Sequence, residues 1–206
     1  ALRKSLAEKG ALLKEVHHRV KNNLQVVTSL LRLETSRSQD LSTKSVLKAM
    51  QSRIHSMALL HETLYRTGTF AAVDLGVYLR QLATQSFRSL NDRPGSIQLD
   101  LDVASARVEM DQAIPCGLLV NELISNCLKH GFPGDHPGRI RVELRLVDGG
   151  PQLILRVSDT GKGLPADFAA RQRDSLGLQL VADLAKQLRG ALEIGPEATF
   201  TVAFTP

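Results

Sequence analysis

One stretch of this sequence organises the rest of the chain: Glu15-Val16-His17-His18-Arg19-Val20-Lys21-Asn22-Asn23-Leu24-Gln25. It sets two adjacent histidines, basic residues and amides into an amphipathic helical pattern. At about 100° per residue, His17 falls about 50° from the centre of the apolar seam and His18 about 150° from it. His18 therefore faces solvent and is the better candidate for a reactive side chain, whereas His17 is predicted to pack at the edge of a helical bundle.

The apolar pattern continues on both sides of this stretch and predicts a helical hairpin. Apolar residues step by three or four from residue 2 to about residue 36 and again along a second helix that ends near Thr67-Gly68. The polar segment between them reads as a turn, with Ser42 or Thr43 as the N-cap of the second helix. Each helix has one buried stripe, so the hairpin is expected to pair with a second copy as a four-helix bundle.

The composition changes after Gly68, which predicts two domains, residues 1–68 and 69–206. In the second domain, Asp74 can cap a helix that ends near residue 90, and Pro115 is expected in the first turn of a helix over residues 112–130. A further helix is predicted over residues 176–188. Alternating apolar residues predict strands over 97–103, 140–146, 153–157, 192–194 and 200–204. Together these elements predict an α+β sandwich of one sheet and one helical layer.

Bulk properties exclude some classes of function. The net charge is +5, but the basic residues are scattered, tryptophan is absent and aromatic residues make up only 4% of the sequence, which disfavours nucleic-acid binding. No apolar run is long enough to span a membrane. Cys116 and Cys127 fit buried thiols in a reducing compartment, and we expect a cytoplasmic protein.

Three clusters in the second domain carry residue types that suit a nucleotide. The first is Asn121-Glu122-Leu123-Ile124-Ser125-Asn126-Cys127-Leu128-Lys129-His130. On a regular helix, Glu122, Asn126, Lys129 and His130 share one stripe. An amide oxygen there can ligate Mg²⁺, and cations can balance the charge of phosphates.

The other two clusters lie at the end of a strand and at the start of a helix. In Asp159-Thr160-Gly161-Lys162-Gly163, a carboxylate can accept a hydrogen bond from an adenine amino group, and glycines allow close backbone approach. In Ser175-Leu176-Gly177-Leu178-Gln179-Leu180, the free N–H groups of a helix start suit phosphate oxygens. Each cluster alone is weak evidence for a nucleotide site. The order of the three clusters along the chain is the stronger evidence.

From about Leu12 to Thr205 the chain resembles a histidine protein kinase whose second half is a GHKL-type (Bergerat-type) ATPase domain. The three clusters resemble the N, G1 and G2 boxes of that domain. His18-Arg19-Val20-Lys21-Asn22 is similar to the H-R-x-K-N phosphoacceptor box of the kinases related to the HWE class.

This resemblance implies a role for each matching residue. It implies that His18 is the phosphoacceptor, that Glu122 positions or activates groups around the γ-phosphate, and that Asn126 ligates Mg²⁺. It further implies phosphate contacts from Lys129 and His130, adenine recognition by Asp159, lid hinges at Gly161 and Gly163, backbone phosphate contacts along Ser175, Leu176, Gly177 and Leu178, and an adenine-side position for Thr199.

The sequence departs from the family pattern in three places. Arg19 follows the phosphoacceptor where the commonest class has an acidic residue, so Glu15 and Glu122 both stay open as the base. The segment between Gly163 and Ser175 is short and lacks a phenylalanine-rich box, which predicts a small lid. The closing glycine pattern before Thr199 is altered.

The expected function is that of the catalytic part of a two-component sensor histidine kinase. ATP with Mg²⁺ would phosphorylate His18, and the phosphoryl group would pass to an aspartate on a response-regulator receiver domain. Asn22 could orient a water for dephosphorylation of the regulator. We expect a homodimer through the hairpin and a sensor domain upstream. Two alternatives are a non-catalytic phosphotransfer or scaffold protein with a decayed ATP site, and a GHKL-type protein serine kinase.

Overall fold

A computed structural model describes residues 2–67, 72–91, 95–134, 136–147, 149–165, 167–168 and 175–206. In the first two helices it describes the side chains from residue 15 to residue 58, apart from residues 17, 18 and 21. The chain forms two compact units, Ala1–Phe70 and Ala71–Pro206. The predicted domain boundary between residues 68 and 69 lies outside the described residues.

The first unit is the predicted helical hairpin, made of α1 (Leu2–Arg37) and α2 (Leu41–Thr67). The two helices pack along each other, and Gln51 Nε2 donates a hydrogen bond of 2.9 Å to Thr35 Oγ1 between them. The predicted N-cap was wrong. Asp40 caps α2, because its Oδ2 accepts from the backbone N–H of Thr43 at 2.7 Å and from the Thr43 hydroxyl at 2.6 Å.

The hairpin leaves part of its apolar surface uncovered. Val20, Leu24 and Leu31 are half-buried along α1. Val26 is 59% exposed and Leu30 is 57% exposed on the same helix. A single hairpin therefore buries only part of the apolar surface of α1.

The second unit contains α3 (Leu75–Leu90), α4 (Met110–Asn126) and α5 (Leu176–Gln187). Asp74 caps α3 as predicted, because its Oδ1 accepts from Val77 N at 3.1 Å. Helix α4 begins two residues earlier than expected, at Met110. Pro115 therefore lies in its second turn and not in the first.

Helix α4 does not end as a regular helix. It continues as one π-helical turn over Cys127–Gly131. A π turn adds a residue to the helical repeat and rotates the side chains that follow it, and such turns are frequent at functional sites. The single helical stripe predicted from Glu122 to His130 therefore does not hold after Asn126.

The main sheet consists of β2 (Ile97–Val103), β4 (Gly138–Leu146), β5 (Leu153–Asp159), β6 (Ala191–Gly195) and β7 (Thr199–Phe204). Their order across the sheet is β2-β4-β5-β7-β6. β2 and β4 are parallel and joined through α4, whereas the other neighbours are antiparallel. This is the expected α+β sandwich, and the β4–β5 hairpin is confirmed. A two-stranded sheet of β1 (Val73–Asp74) and β3 (Arg107–Val108) was not predicted.

The core lies between this sheet and its helices. Leu119, Leu123 and Ile124 on α4 are fully buried, as are Val142 and Leu155 on the central strands. α4 packs against α3, α5 and β5, so it is the central helix of the layer. The end of α4 and the end of β5 are thereby held side by side.

Candidate functional site

A cavity of about 280 Å³ opens where α4, β5 and α5 meet. Within the described part of the chain, its lining combines one carboxylate, one amide, one hydroxyl, one thiol and two basic side chains with glycines and apolar residues: Asn126, Cys127, His130, Gly131, Asp159, Lys162, Gly163, Leu164, Pro165, Phe168, Ser175, Leu178, Ala198 and Phe200. A concave apolar site with a few convergent polar groups is typical of a small-molecule site. All three clusters singled out in the sequence contribute to it.

Asp159 is the buried carboxylate of this cavity. It is the last residue of β5 and only 6% exposed, and its Oδ1 accepts a hydrogen bond of 2.9 Å from Gly161 N. Burial raises the pKa of Asp159, while hydrogen bonds from Gly161 and from the Cys127 thiol act in the opposite direction. A buried carboxylate with one oxygen engaged can use the other to read a donor group on a ligand.

The loop after β5 is fastened to the π turn by backbone contacts. Lys162 N donates to Gly131 O at 2.9 Å. A side chain on Gly161 would overlap that same carbonyl group, and a Cβ on Gly131 would come within 2.9 Å of Asp159 Oδ1. Gly161 is therefore needed for close approach of the two backbones, and its role as a lid hinge stays a prediction. Gly163, at φ +73°, has the backbone conformation that favours glycine.

Ser175 sets the start of α5 at the cavity. Its hydroxyl accepts from Leu178 N at 3.4 Å, and both residues line the cavity. Leu176 points outward and is 61% exposed. Gly177 does not line the cavity but lies against Glu122, whose Oε1 would be 2.6 Å from a Cβ at that position. Gly177 therefore makes room for Glu122, which the sequence alone did not indicate.

The basic residues differ from the prediction. His130 lines the cavity, and its pKa is lowered by burial and by the charges of Lys129 and Lys162. Lys129 is exposed and does not line the cavity, because the π turn rotates it away. Lys162, in the loop after β5, supplies the second basic side chain instead. At the cavity, Lys162 therefore stands where the sequence led us to expect Lys129.

Two other expected residues stand outside the cavity lining. Glu122 is 7% exposed and lies behind the cavity, one helical turn before Asn126. Thr199 begins β7, where alternate side chains point to opposite faces of the sheet, and Phe200 is the neighbour that lines the cavity. Ala198, the buried residue that precedes Thr199, also lines the cavity, whereas Thr199 does not.

Sequence reasoning missed the apolar wall of the cavity. Phe168 and Phe200 meet edge to face, with ring centroids 6.2 Å apart, and Leu164 and Pro165 adjoin them. The segment between Gly163 and Ser175 was predicted to lack a phenylalanine-rich box, and its one phenylalanine, Phe168, lines the cavity. The alternation of β7 indicated that Phe200 is buried, but not which element it would meet.

On the hairpin, the H-R-x-K-N box lies in the middle of α1. The side chains of His17, His18 and Lys21 lie outside the described residues. Asn22 is exposed, and Arg19 Nε pairs with Glu15 Oε1 at 2.8 Å. The i to i+4 spacing on the helix accounts for this exposed ion pair.

The second unit belongs to the class of ATPase domains related to histidine kinases, as its match to a family model shows. A family model described as "Histidine kinase-, DNA gyrase B-, and HSP90-like ATPase" matches residues 111–206. A second model, described as "Histidine kinase", matches residues 15–90. The chain belongs to the histidine kinases, with an HWE-type front region and a GHKL-type ATPase domain.

Similar proteins agree with this membership. The sensor histidine kinase PdtaS of Mycobacterium tuberculosis is 33% identical over 92% of the chain, and blue-light-activated histidine kinase 2 of Erythrobacter litoralis is 28% identical over 92%. The chain spans only 37% and 55% of the length of these two relatives. The solved histidine kinase domain of an Erythrobacter litoralis blue-light-activated kinase superposes with a TM-score of 0.68 at 27% identity, covering 96% of this chain and 93% of that one. No helix in the described ranges combines the length and the apolar character needed to cross a membrane.

Proposed function

We propose that this chain binds ATP in the cavity of its second unit and phosphorylates His18 on α1, from which the phosphoryl group passes to an aspartate of a response-regulator receiver domain. The observation that carries the proposal is the cavity itself. It brings the buried carboxylate of Asp159 together with Asn126, His130 and Lys162 at the start of a helix.

The cavity offers different chemistry to the two ends of a nucleotide. Asp159 can accept from the exocyclic amino group of adenine, and Phe168 and Phe200 supply an apolar wall for the base. The first turn of α5, with the basic groups of His130 and Lys162, suits the negatively charged phosphates.

The residues present fit a magnesium ion that is held mainly by the nucleotide. Asn126 is half-buried and lines the cavity. Among the described residues, no group of three or more His, Cys, Asp or Glu could hold a metal by itself. Mg²⁺ is commonly bound by one or two protein oxygens together with phosphate oxygens, and Asn126 would supply such an oxygen. The ion would neutralise charge on the transferring group.

The transfer breaks the bond between the γ-phosphorus and the bridging oxygen of ATP and forms a phosphorus–nitrogen bond to the imidazole of His18. ADP leaves with the bridging oxygen, and a base takes the imidazole proton. Glu15 is an exposed residue of α1, whereas Glu122 is buried one helical turn before Asn126 and lies against the start of α5. We therefore assign the carboxylate next to the transfer to Glu122. Glu122→Gln should abolish labelling that Glu15→Gln leaves largely intact.

The exposed surfaces of the hairpin support two proposed partners, a second copy of the chain and the response regulator. The uncovered apolar side chains Val26 and Leu30 support a homodimer through α1 and α2. The exposed amide of Asn22 lies one turn after His18 on α1, which supports a role in orienting water during dephosphorylation of the regulator. If Asn22→Ala keeps both kinase and phosphatase activity, this role is excluded.

The decisive experiment is incubation with γ-labelled ATP and Mg²⁺, comparing the wild type with His17→Gln and His18→Gln. We expect the His18 variant to lose the label and the His17 variant to keep it. Loss of label in the His17 variant alone would reassign the phosphoacceptor. The label should be lost in acid, because phosphohistidine is acid-labile; an acid-stable label would favour a serine kinase. Absence of ATP binding would favour a scaffold with a decayed site.

A further inference from the structure

Ala198 combines a positive φ with a buried side chain. In the described part of the chain, the non-glycine residues with positive φ are Arg189, Glu197 and Ala198, at 54°, 53° and 49°. Arg189 and Glu197 are exposed, whereas Ala198 is 6% exposed and lines the cavity. We propose that the methyl group of Ala198 determines base specificity in that cavity, because it limits the space beside the amino group of adenine. This inference rests on the proposed ATP site.

The backbone at Ala198 forms a tight turn. Thr199 N donates to Pro196 O at 3.2 Å, so Glu197 and Ala198 are the two central residues of a β-turn. Positive φ at both central positions is the pattern of a type I′ turn, in which glycine and asparagine are usual. Residues other than glycine are strained there, and residues held in such conformations cluster at ligand sites. The chain therefore keeps a methyl group at a cavity-lining position where glycine would be free of strain.

The neighbouring strands put this methyl group on the side of the cavity that holds Asp159. Val157 on β5 pairs with Phe200 on β7 in an antiparallel ladder. Continued by two residues, the same register brings Ala198 to the position across from Asp159, and both residues line the cavity. Asp159 is the proposed acceptor for the adenine amino group. A methyl group beside that acceptor leaves room for an unsubstituted amino group and excludes a larger one.

The turn offers its own matched control. Ala198→Gly removes the methyl group and relaxes the backbone at the same time, because glycine adopts a positive φ freely. Glu197→Gly relaxes the same turn at an exposed position that is not part of the cavity lining. The ligand can be varied by the same chemical group. N⁶-methyl-ATP keeps one amino hydrogen for Asp159 and carries a methyl group in place of the other.

The experiment measures the dissociation constants of ATP and N⁶-methyl-ATP, each with Mg²⁺, for the full chain and its variants. The wild type should bind N⁶-methyl-ATP about tenfold more weakly than ATP, because the cavity has no space for the extra methyl group. Glu197→Gly should show the same preference for ATP. Ala198→Gly should bind the two nucleotides within about threefold of each other, because the methyl group of the ligand fits the space that the alanine side chain leaves. Ala198→Ser adds an oxygen to the Cβ and should increase the preference for ATP.

Four outcomes would overturn the inference. A wild type without a preference for ATP, or an unchanged preference in Ala198→Gly, would show that the Ala198 methyl group does not border the amino group. Equal loss of the preference in Glu197→Gly and Ala198→Gly would show that the turn backbone sets the specificity. If Ala198→Gly does not fold, a preference that fails to rise in Ala198→Ser has the same force. A wild type that binds neither nucleotide contradicts the proposed function itself, whereas binding without discrimination contradicts only this inference.

Discussion

The two units of the chain differ in where their apolar side chains lie. In the second unit, every layer contributes fully buried residues, such as Leu79 on α3, Leu123 on α4 and Leu155 on β5. In the hairpin, among the side chains described from residue 15 to residue 58, Ser56 is the one buried residue, and Leu30 is 57% exposed. The second unit can therefore be stable by itself, whereas the hairpin needs additional surface to bury its apolar stripe.

The charged groups show the same contrast. The described ion pairs of the hairpin are exposed pairs within α1, such as Arg19 with Glu15. Exposed pairs of this kind contribute little to stability. In the second unit, Asp159 and His130 are held where burial shifts their pKa values. Groups whose protonation is shifted by burial beside a cavity are candidates for function.

The largest expected effect tests the difference in burial directly. Leu155→Ala should lower the free energy of unfolding of the second unit by about 3 kcal/mol, because it removes a fully buried side chain from the central strand β5. Leu30→Ala is the matched control and should change the stability of the monomer by less than about 0.5 kcal/mol. Denaturant unfolding of both variants measures this. Equal losses would mean that Leu30 is buried in the protomer, and the comparison would be wrong.

The second-largest effect concerns Gly131, the last residue of the π turn, whose carbonyl accepts a hydrogen bond from the loop after β5. Gly131→Ala should weaken ATP binding about thirtyfold, because the added Cβ presses against Asp159 Oδ1 at 2.9 Å. Gly150→Ala, where a Cβ meets nothing within 4 Å, is the control and should bind normally. Titration with a fluorescent ATP analogue gives both constants. Normal binding by Gly131→Ala would show that the carboxylate can move without loss of recognition.

The particular residues show how much the sequence could predict. Apolar residues that recur every 3.6 or every 2 positions predicted the two long helices, the helix capped by Asp74 and the β4–β5 hairpin, because this periodicity is a local signal. The boxes gave Asn126, His130, Asp159, Gly163, Ser175 and Leu178, all of which line one cavity.

Other features depend on long-range packing and left no local signal. The π turn over Cys127–Gly131 separates Lys129, which lies outside the cavity lining, from His130, which lines it, and a stripe drawn on a regular helix cannot anticipate that separation. Phe168, Lys162 and Ala198 meet the cavity only because separate elements converge there. Gly131 reads as an ordinary helix stop until its contact with Asp159 is seen.

A smaller effect tests whether the exposed apolar side chains of α1, Val26 and Leu30, bind a second copy of the chain. Leu30→Glu should weaken self-association at least about tenfold, because it places a charge on the exposed apolar face of α1. Asn23→Glu, at an exposed polar position of the same helix, is the control. Analytical ultracentrifugation over a range of concentrations measures the equilibrium. A wild type that stays monomeric at all concentrations would mean that the stripe has another occupant.

The smallest effect is a proton taken up on nucleotide binding. The pKa of His130 lies below its ordinary value of 6.5 because of burial and the charges of Lys129 and Lys162. At a pH between the lowered pKa of the folded state and the pKa of 6.5 in the unfolded state, His130 binds more protons in the unfolded chain than in the folded one. The contribution of His130 to stability is therefore present above pH 6.5 and is lost as the pH falls through the lowered pKa. Phosphates near His130 would raise its pKa again, so ATP binding should take up a fraction of a proton near pH 6 and tighten as the pH falls.

Calorimetry in two buffers of different ionisation enthalpy measures the uptake, and the difference between the wild type and His130→Gln isolates it from the protons of ATP. His136→Gln, at an exposed position outside the cavity lining, should behave as the wild type. Equal uptake by the wild type and His130→Gln would place the phosphates away from His130, at the Lys162 side of the cavity.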